Sequence, residues 1–340
     1  MVDNKYDIVG IGNSIVDVIT DVEDQFLNDH ELRKGLMSLV DLDGIKNISG
    51  KIDIKKTVSG GSVANSIVAL AQSNMKTAFI GKVGMDEVGN AFVDGLSKEN
   101  VFFANVPQSD ESETGRCLVM VTPDAQRTMS TYLGISQKLN SDDVNEDVIS
   151  QSRITYLEGY LWDLDDAQVA IKKATKVAKE NNKIVAFSVS DVFCIERFKE
   201  SFLSLINDDA DIVFANEEEM KSLLGTSNLD ESINIIKDKN KIFAITLGEK
   251  GAMIINNGEV IKIEPPKGDN VRNQGDMVDG YSSYFAQFNR NKKSVILDLY
   301  VESEKDILRS LLSDADVVVE NFKAGVFDKI KSSGRITAKL

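Results

Sequence analysis

Hydrophobic and polar positions alternate along the chain with two different periods. Short apolar runs at 8–11 and 78–80 predict buried β-strands. Between them, Val63, Ile67 and Leu70 are spaced i, i+4 and i+7 and therefore share one face of a predicted helix. Because strand-length runs keep alternating with helix-period segments, we predict a mainly parallel sheet covered by helices on both faces.

The same pattern continues in the second half of the chain. Further strand-length runs lie at 184–187, 212–215 and 243–246, and polar or glycine-bearing residues follow each of them. The fold class predicted from this alternation is α/β.

Two stretches depart from this rhythm, 17–56 and 115–134. In the second, β-prone runs at 117–121 and 128–132 flank residues 122–125, where proline and aspartate favour a turn. We assign both stretches to a small β lid over the main sheet. An ordinary hairpin without a role in function is the alternative.

Length and charge narrow the function classes. A chain of 340 residues is expected to hold one large α/β domain and an appended segment. The net charge of −15 argues against nucleic acid and acidic membranes as partners, because phosphate groups bind clustered Lys and Arg. The N-terminus lacks a signal-peptide pattern and the chain lacks a long apolar run, so we expect a cytoplasmic protein with a small-molecule substrate.

Cysteine and histidine are scarce. Cys117 and Cys194 lie far apart and form no metal-ligand spacing, which predicts two reduced core thiols. His30 is the single histidine and lies among polar residues, so Ser-His-Asp hydrolysis and histidine-rich metal sites are poor candidates.

Candidate substrate-binding residues occur in two places. Asp17 follows the first predicted strand, near the expected carboxyl edge of the sheet, where a carboxylate accepts hydrogen bonds from vicinal hydroxyls; a solvated loop acid is the alternative. Gly60 and Gly61 precede a helix, where they let a ligand approach the backbone, and Asn65 offers a donor and an acceptor. A glycine-bearing helix cap with a solvated Asn65 is the alternative there.

Candidate nucleotide-binding residues follow the later strands. Asn216 and Glu219 come three residues apart after one strand and suit Mg²⁺ or its waters, although an exposed acidic helix start is the alternative. After the next strand, Thr246 is followed by Gly248 and Gly251, whose lack of a side chain allows a loop to lie against a nucleotide.

Taken in this order, these motifs resemble the PfkB, or ribokinase-like, family of carbohydrate and nucleoside kinases over about 5–261. The stretches 114–134 and 158–162 resemble its adenosine kinase-like branch. The resemblance implies a Rossmann-type sheet with helices on both faces, a β lid, ATP as phosphoryl donor and Mg²⁺. The predicted kinase-like domain is 1–262, and a homodimer is left open.

The resemblance also implies roles for residues. Substrate hydroxyls would be held by Asp17, Gly60, Gly61 and Asn65. Mg·ATP would lie near Asn216, Glu219, Thr246, Gly248 and Gly251, with Glu219 acting on the metal indirectly. Arg127, on the lid, would lie near the substrate or the transferred phosphate; a surface charge on a hairpin is the alternative.

The chain departs from the family where the chemistry is concentrated. Members carry an Asp-Thr-Thr-Gly-Ala-Gly-Asp type sequence that opens a helix, stabilises the transferred phosphoryl group and supplies the base. Here 269–277 reads Asp-Asn-Val-Arg-Asn-Gln-Gly-Asp-Met, so that Gly275 and Asp276 alone echo the motif. Asp276 is the candidate substitute base.

In the stretches 260–269, 289–294 and 316–325, and so over about 260–330, the chain resembles the N-terminal part of class III CoA-transferases. Residues 263–340 are therefore predicted to be an appended fragment, with a strand at 295–299, a helix at 302–312 and a strand at 317–319. Positions matching Asn321 and Phe322 touch CoA in that family. Its catalytic aspartate lies further along than this chain runs, so transferase activity is not expected.

Two hypotheses follow. In the first, the chain is a sugar or nucleoside kinase, impaired by its altered motif, with Asp276 as the base. In the second, it is a fusion or chimeric chain that binds nucleoside or nucleotide without transferring a phosphoryl group.

Overall fold

The computed structural model describes residues 4–109, 112–248, 252–256, 259–264, 277–278, 281–282, 292–298, 301 and 303–307. The chain forms two compact units, Met1–Val185 and Ala186–Leu340. Both contain strands and helices, which confirms the predicted α/β class. The division falls inside the predicted kinase-like domain, and the proposed boundary at 262/263 stays a prediction.

The first unit contains nine strands, six α-helices and three short 3-10 helices among its described residues. The strands are β1 (Tyr6–Ile11), β2 (Ile15–Asp21), β3 (Met37–Leu39), β4 (Lys56–Gly60), β5 (Thr77–Ile80), β6 (Val101–Phe103), β7 (Thr114–Val121), β8 (Arg127–Gly134) and β9 (Ser152–Glu158). The α-helices are α1 (Asp24–Asp29), α2 (Leu42–Ser49), α3 (Ser62–Gln72), α4 (Glu87–Lys98), α5 (Glu146–Ser150) and α6 (Asp165–Glu180).

One sheet of the first unit runs in the order β9-β1-β5-β6, with its strands parallel. The apolar runs predicted from the sequence form β1 and β5. Helix α3 packs on β1, β5 and β9 through the predicted face, where Val63 and Ile67 are fully buried. Phe79 and Phe92 meet with ring centroids 5.8 Å apart and fill the core on the α4 side.

A second sheet, which we name the lid sheet, has the order β3-β8-β7-β2-β4. It contains the two predicted lid stretches, and β7 and β8 form the predicted antiparallel hairpin. In sequence, α1 and α2 lie between its strands. Helix α4 packs against β2, β4 and β7 and buries one face of the lid sheet.

The hairpin turn follows from its sequence. The Thr122 hydroxyl donates to Asp124 at 2.6 Å, and the Ala125 N–H donates to the Thr122 carbonyl at 2.8 Å. Ala125 adopts a positive φ of 64°. The sequence does not predict this conformation, because alanine rarely adopts a positive φ.

The second unit contains the last three residues of β10 (Ile184–Ser188), followed by β11 (Ile212–Asn216) and β12 (Ile242–Thr246), and these strands are parallel. β13 (Ala252–Asn256) and β14 (Glu259–Glu264) then continue the sheet in antiparallel orientation, within a sheet that is mainly parallel as predicted. Its helices include α7 (Val192–Asp208), α8 (Glu217–Leu224) and α9 (Leu229–Ile236). Phe187 and Phe202 form an edge-to-face pair in its core, 5.1 Å apart.

The tail adds β15 (Met277–Val278), β16 (Tyr281–Ser282) and β17 (Lys292–Ile296). β17 pairs in parallel with β14, from Lys292 opposite Val260 to Ile296 opposite Glu264. The strand predicted at 295–299 therefore begins three residues earlier, because its partner rather than its apolar run sets its bounds. A helical segment is described at 303–307 within the predicted helix. The strand predicted at 317–319 lies outside the described residues.

Within the described part of the chain, no helix has both the length and the apolar character needed to cross a bilayer. Cys117 and Cys194 are buried free thiols, as predicted.

Candidate substrate and nucleotide sites

Asp17 lies on β2 with its carboxylate against the backbone of Gly60. In the lid sheet Asp17 pairs with Val58 on one side and with Cys117 on the other. A Cβ atom built on Gly60 would lie 2.3 Å from the Asp17 carboxyl carbon, so residue 60 must lack a side chain. Burial raises the pKa of Asp17 to about 6. Asp17 is therefore a half-buried acid rather than a solvated loop residue.

Gly61 turns the chain from β4 into α3. Its φ is +107°, and a Cβ there would lie 2.3 Å from the backbone oxygen of Asn13, so both conformation and space call for glycine. Asn65 lies one turn into α3 and is exposed. The structure thus brings Asp17, Gly60 and Gly61 together at the start of the helix that carries Asn65.

Asn13 and Glu158 are buried close to the start of α3, and neither was predicted as a site residue. The Glu158 carboxylate accepts a hydrogen bond from the backbone N–H of Asn13 at 2.7 Å. Its side chain is fully buried, and burial raises its pKa. The sequence shows a carboxylate at the end of a buried strand, but its partner Asn13, 145 positions away, is identified only by the fold.

The apolar character of the lid face around Asp17 was also not predicted. Val58, Cys117 and Val119 share this face, and the last two are almost fully buried. Burial and the nearby Asp17 charge raise the pKa of the Cys117 thiol to about 12, although the Thr131 hydroxyl donates to its sulfur at 3.2 Å. Cys117 is consequently a neutral thiol beside a carboxylate.

Arg127 lies at the tip of the lid hairpin. It pairs with Val121, whereas Asp17 pairs with Cys117, four residues along the same strand. This register separates the two by about 13 Å along the strand. The Arg127 side chain is exposed, and the structure does not bring it next to Asp17.

A buried ion pair supports the first unit beside these residues. Lys82 Nζ lies 2.9 Å from Asp143 Oδ2, and both side chains are less than a tenth exposed. Asp143 also accepts from the Gln108 side chain at 2.8 Å and from the Asn140 backbone N–H at 2.9 Å. The buried Lys82–Asp143 pair and its hydrogen bonds link three separate segments, around residues 82, 108 and 140–143.

In the second unit, Asn216 and Thr246 lie side by side at the carboxyl ends of β11 and β12. Asn216 caps α8: its side chain accepts from the Glu219 N–H at 2.8 Å, and the Glu219 carboxylate accepts from the Asn216 N–H at 2.9 Å. Glu219 is 8% exposed rather than solvated. Burial and the charge of Asp191 raise the pKa of Glu219. Asp191 is the N-cap residue of α7.

Gly248 follows β12 with a φ of +61°, and a Cβ there would meet open space. The predicted residues Gly251, Asp276, Asn321 and Phe322 lie outside the described residues. In the ranges that the structure describes, no group of three or more His, Cys, Asp and Glu side chains is arranged to hold a metal ion.

Comparison with known proteins adds family evidence to this geometry. Residues 41–273 match the model of the pfkB family carbohydrate kinases, and residues 242–339 match that of CoA-transferase family III. Both predicted resemblances are confirmed. The 5-dehydro-2-deoxygluconokinase of Clostridium perfringens is 27% identical over 218 residues. That match spans 61% of this chain and 64% of the relative, just under two thirds of its length.

Two solved structures are similar in both sequence and fold. A probable sugar kinase protein from Rhizobium etli CFN 42 is 34% identical with a TM-score of 0.71, covering 76% of this chain and 78% of that one. The adenosine kinase from Sinorhizobium meliloti is 34% identical with a TM-score of 0.72, covering 81% and 83%. The predicted ribokinase-like fold is thereby confirmed, and the chain belongs to the pfkB family of carbohydrate kinases.

Proposed function

We propose that this chain binds a sugar or nucleoside at Asp17, Gly60, Gly61 and Asn65 and transfers a phosphoryl group from ATP to one of its hydroxyls. The observation that carries the proposal is the Asp17 carboxylate seated on the bare backbone of Gly60, at the start of α3. A half-buried carboxylate accepts hydrogen bonds from a diol, and the adjoining glycines let the backbone of residues 60 and 61 approach Asp17 and Asn13 closely.

The lid face favours a nucleoside over a free sugar. A free sugar presents hydroxyls around most of its ring, whereas a nucleoside joins a diol to a flat, largely apolar base. Val58, which is half-buried, lies opposite Asp17 on the same face and offers the base an apolar contact. Adenosine is therefore the first probe to use, with fructose as the sugar comparison.

The second unit offers residues for Mg·ATP. Asn216 and Thr246 end neighbouring parallel strands, the edge at which α/β sheets bind ligands, and Gly248 leaves open space after β12. Glu219 and Asp191 supply the oxygen ligands that Mg²⁺ prefers, and a cation there would offset the burial and the Asp191 charge that together raise the Glu219 pKa. These two residues would hold Mg²⁺ through its waters, and the metal would neutralise charge on the transferred phosphoryl group.

The rate of transfer is proposed to be low. Residues 269–277 keep Gly275 and Asp276 but not the rest of the family motif. Loss of a general base costs about 10²- to 10⁴-fold in rate. The altered motif also favours the alternative function, in which the chain binds nucleoside or nucleotide without phosphoryl transfer.

Calorimetric titration with adenosine and fructose tests the binding step. We expect millimolar or tighter binding of adenosine that Asp17→Ala abolishes. The matched control is Asp21→Ala, an acid on the same strand and face that is exposed and pairs with Lys55. An equal loss of adenosine binding in both variants, or no adenosine binding by the unsubstituted chain, would refute the substrate-site proposal.

Release of ADP with Mg·ATP and adenosine tests the transfer step. Turnover that Asp276→Asn abolishes would support the kinase. Binding with no turnover would support the binding-only alternative.

A further inference from the structure

Glu158 ends β9 and offers both carboxylate oxygens to N–H donors. Oε1 accepts from the backbone N–H of Asn13 at 2.7 Å and from its side-chain Nδ2 at 3.0 Å, while Oε2 accepts from the backbone N–H of Val63 at 3.0 Å. The side chain has no exposed surface. A carboxylate is the acceptor-only group that satisfies three donors in this arrangement.

These bonds join two segments that are distant in sequence. Asn13 lies in the turn between β1 and β2, four residues before Asp17, and Val63 lies in the first turn of α3, two residues before Asn65. The helix start also places partial positive charge against the Glu158 carboxylate. Glu158 therefore fixes the relative position of the strand and the helix that carry the two proposed hydroxyl-binding side chains.

Neighbouring packing leaves the Glu158 carboxylate little freedom. A Cβ built on Gly12 would lie 3.0 Å from its carboxyl carbon, and the Ser136 hydroxyl donates to Asn13 Oδ1 at 3.1 Å. Asn13 is thus held from two sides, and Glu158 is held between Gly12, Asn13 and α3.

We propose that Glu158 is a positioning residue of the substrate site, which holds Asp17 and Asn65 at the separation that one ligand bridges. The proposal rests on the proposed function. Glu158 acts through Asn13 and the start of α3, since its own oxygens are buried and occupied.

Glu158→Gln isolates this role with little change in volume. A glutamine amide has one oxygen, so its NH₂ must face either the Asn13 or the Val63 N–H, and one buried donor loses its acceptor. The matched control is Asp86→Asn at the start of α4. Asp86 likewise accepts one backbone N–H on each oxygen, from Gly89 and Thr114, both at 2.7 Å, but α4 carries none of the proposed ligand residues.

The hydrogen bonds from Glu158 to Asn13 and Val63, which we call the clamp, are tested by amide hydrogen exchange in the absence of ligand. We expect about tenfold or faster exchange at 61–66 in Glu158→Gln, with 87–98 unchanged, and the opposite pattern in Asp86→Asn. Unchanged exchange at 61–66 would overturn the proposal, whether or not the protein binds a ligand.

Adenosine titration then tests positioning. We expect Glu158→Gln to weaken Kd about tenfold or more, and Asp86→Asn to leave Kd within about twofold, at a temperature where all three proteins are folded. Equal weakening in both variants would assign Glu158 a merely structural role and overturn positioning. If the unsubstituted chain binds neither adenosine nor fructose, the proposed function and the positioning role fail, and exchange alone decides whether the clamp exists.

Discussion

Replacing Asp17 by asparagine should stabilise the folded chain at neutral pH while removing the proposed hydroxyl acceptor. Burial raises the Asp17 pKa from 3.8 to about 6. The folded state therefore binds this proton more tightly than the unfolded state does. Stability is lost as pH rises from about 4 to about 6, and the loss is complete above that window.

The magnitude follows from the size of the shift. A change of roughly two pKa units corresponds to about 3 kcal/mol of lost stability at pH 8, and to about half of that at pH 5. Asparagine does not titrate and has nearly the same volume. The advantage of Asp17→Asn over the unsubstituted protein is thus expected to grow by about 1.4 kcal/mol between pH 5 and pH 8.

Urea unfolding at pH 5 and pH 8, followed by circular dichroism, measures this difference. Asp21→Asn is the control, because Asp21 lies on the same strand but is exposed, and its substitution should leave the pH dependence unchanged. A midpoint for Asp17→Asn that equals that of the unsubstituted protein at pH 8, or an advantage that shrinks with pH, would refute the argument from burial.

Three further outcomes test other parts of the first unit. Gly61→Ala forces a side chain to within 2.3 Å of the Asn13 oxygen at a positive φ, and thermal unfolding should show a loss of about 1–3 kcal/mol together with loss of adenosine binding in titration. Lys82→Met leaves the Asp143 carboxylate buried without its cation and should cost about 3–5 kcal/mol in urea unfolding; a loss below 1 kcal/mol would contradict it. Cys117 should resist a thiol reagent at pH 8 until the protein is unfolded, because burial keeps its thiol neutral.

Local features of the site were accessible from the sequence because each depends on neighbours a few residues away. The glycines before α3 were predicted from helix-start chemistry, and Gly61 indeed has a conformation that other residues avoid. The hairpin of β7 and β8 follows from its turn residues.

Long-range features could not be predicted in this way. The apolar surroundings of Asp17 depend on parallel pairing of β2 with β7, which are separated by about a hundred residues. No local pattern specifies that pairing, so the sequence left Asp17 open between a ligand residue and a solvated acid. The three donors that surround Glu158 also come from distant turns, and its burial is a property of the fold alone.

The pairing of β17 with β14 has a physical reason that does not depend on family. β14 lies in both matched ranges, whereas β17 lies only in the range that matches CoA-transferase family III. An edge strand exposes unpaired N–H and C=O groups, and any chain segment of suitable length satisfies them, because backbone hydrogen bonds do not depend on side-chain identity. Pairing alone therefore explains how a strand in the range that matches CoA-transferase family III continues this sheet. Strand pairing therefore indicates no function for the tail, and CoA binding has to be measured separately. If the tail recognises CoA, calorimetric titration should show binding to the unsubstituted protein that Phe322→Ala removes.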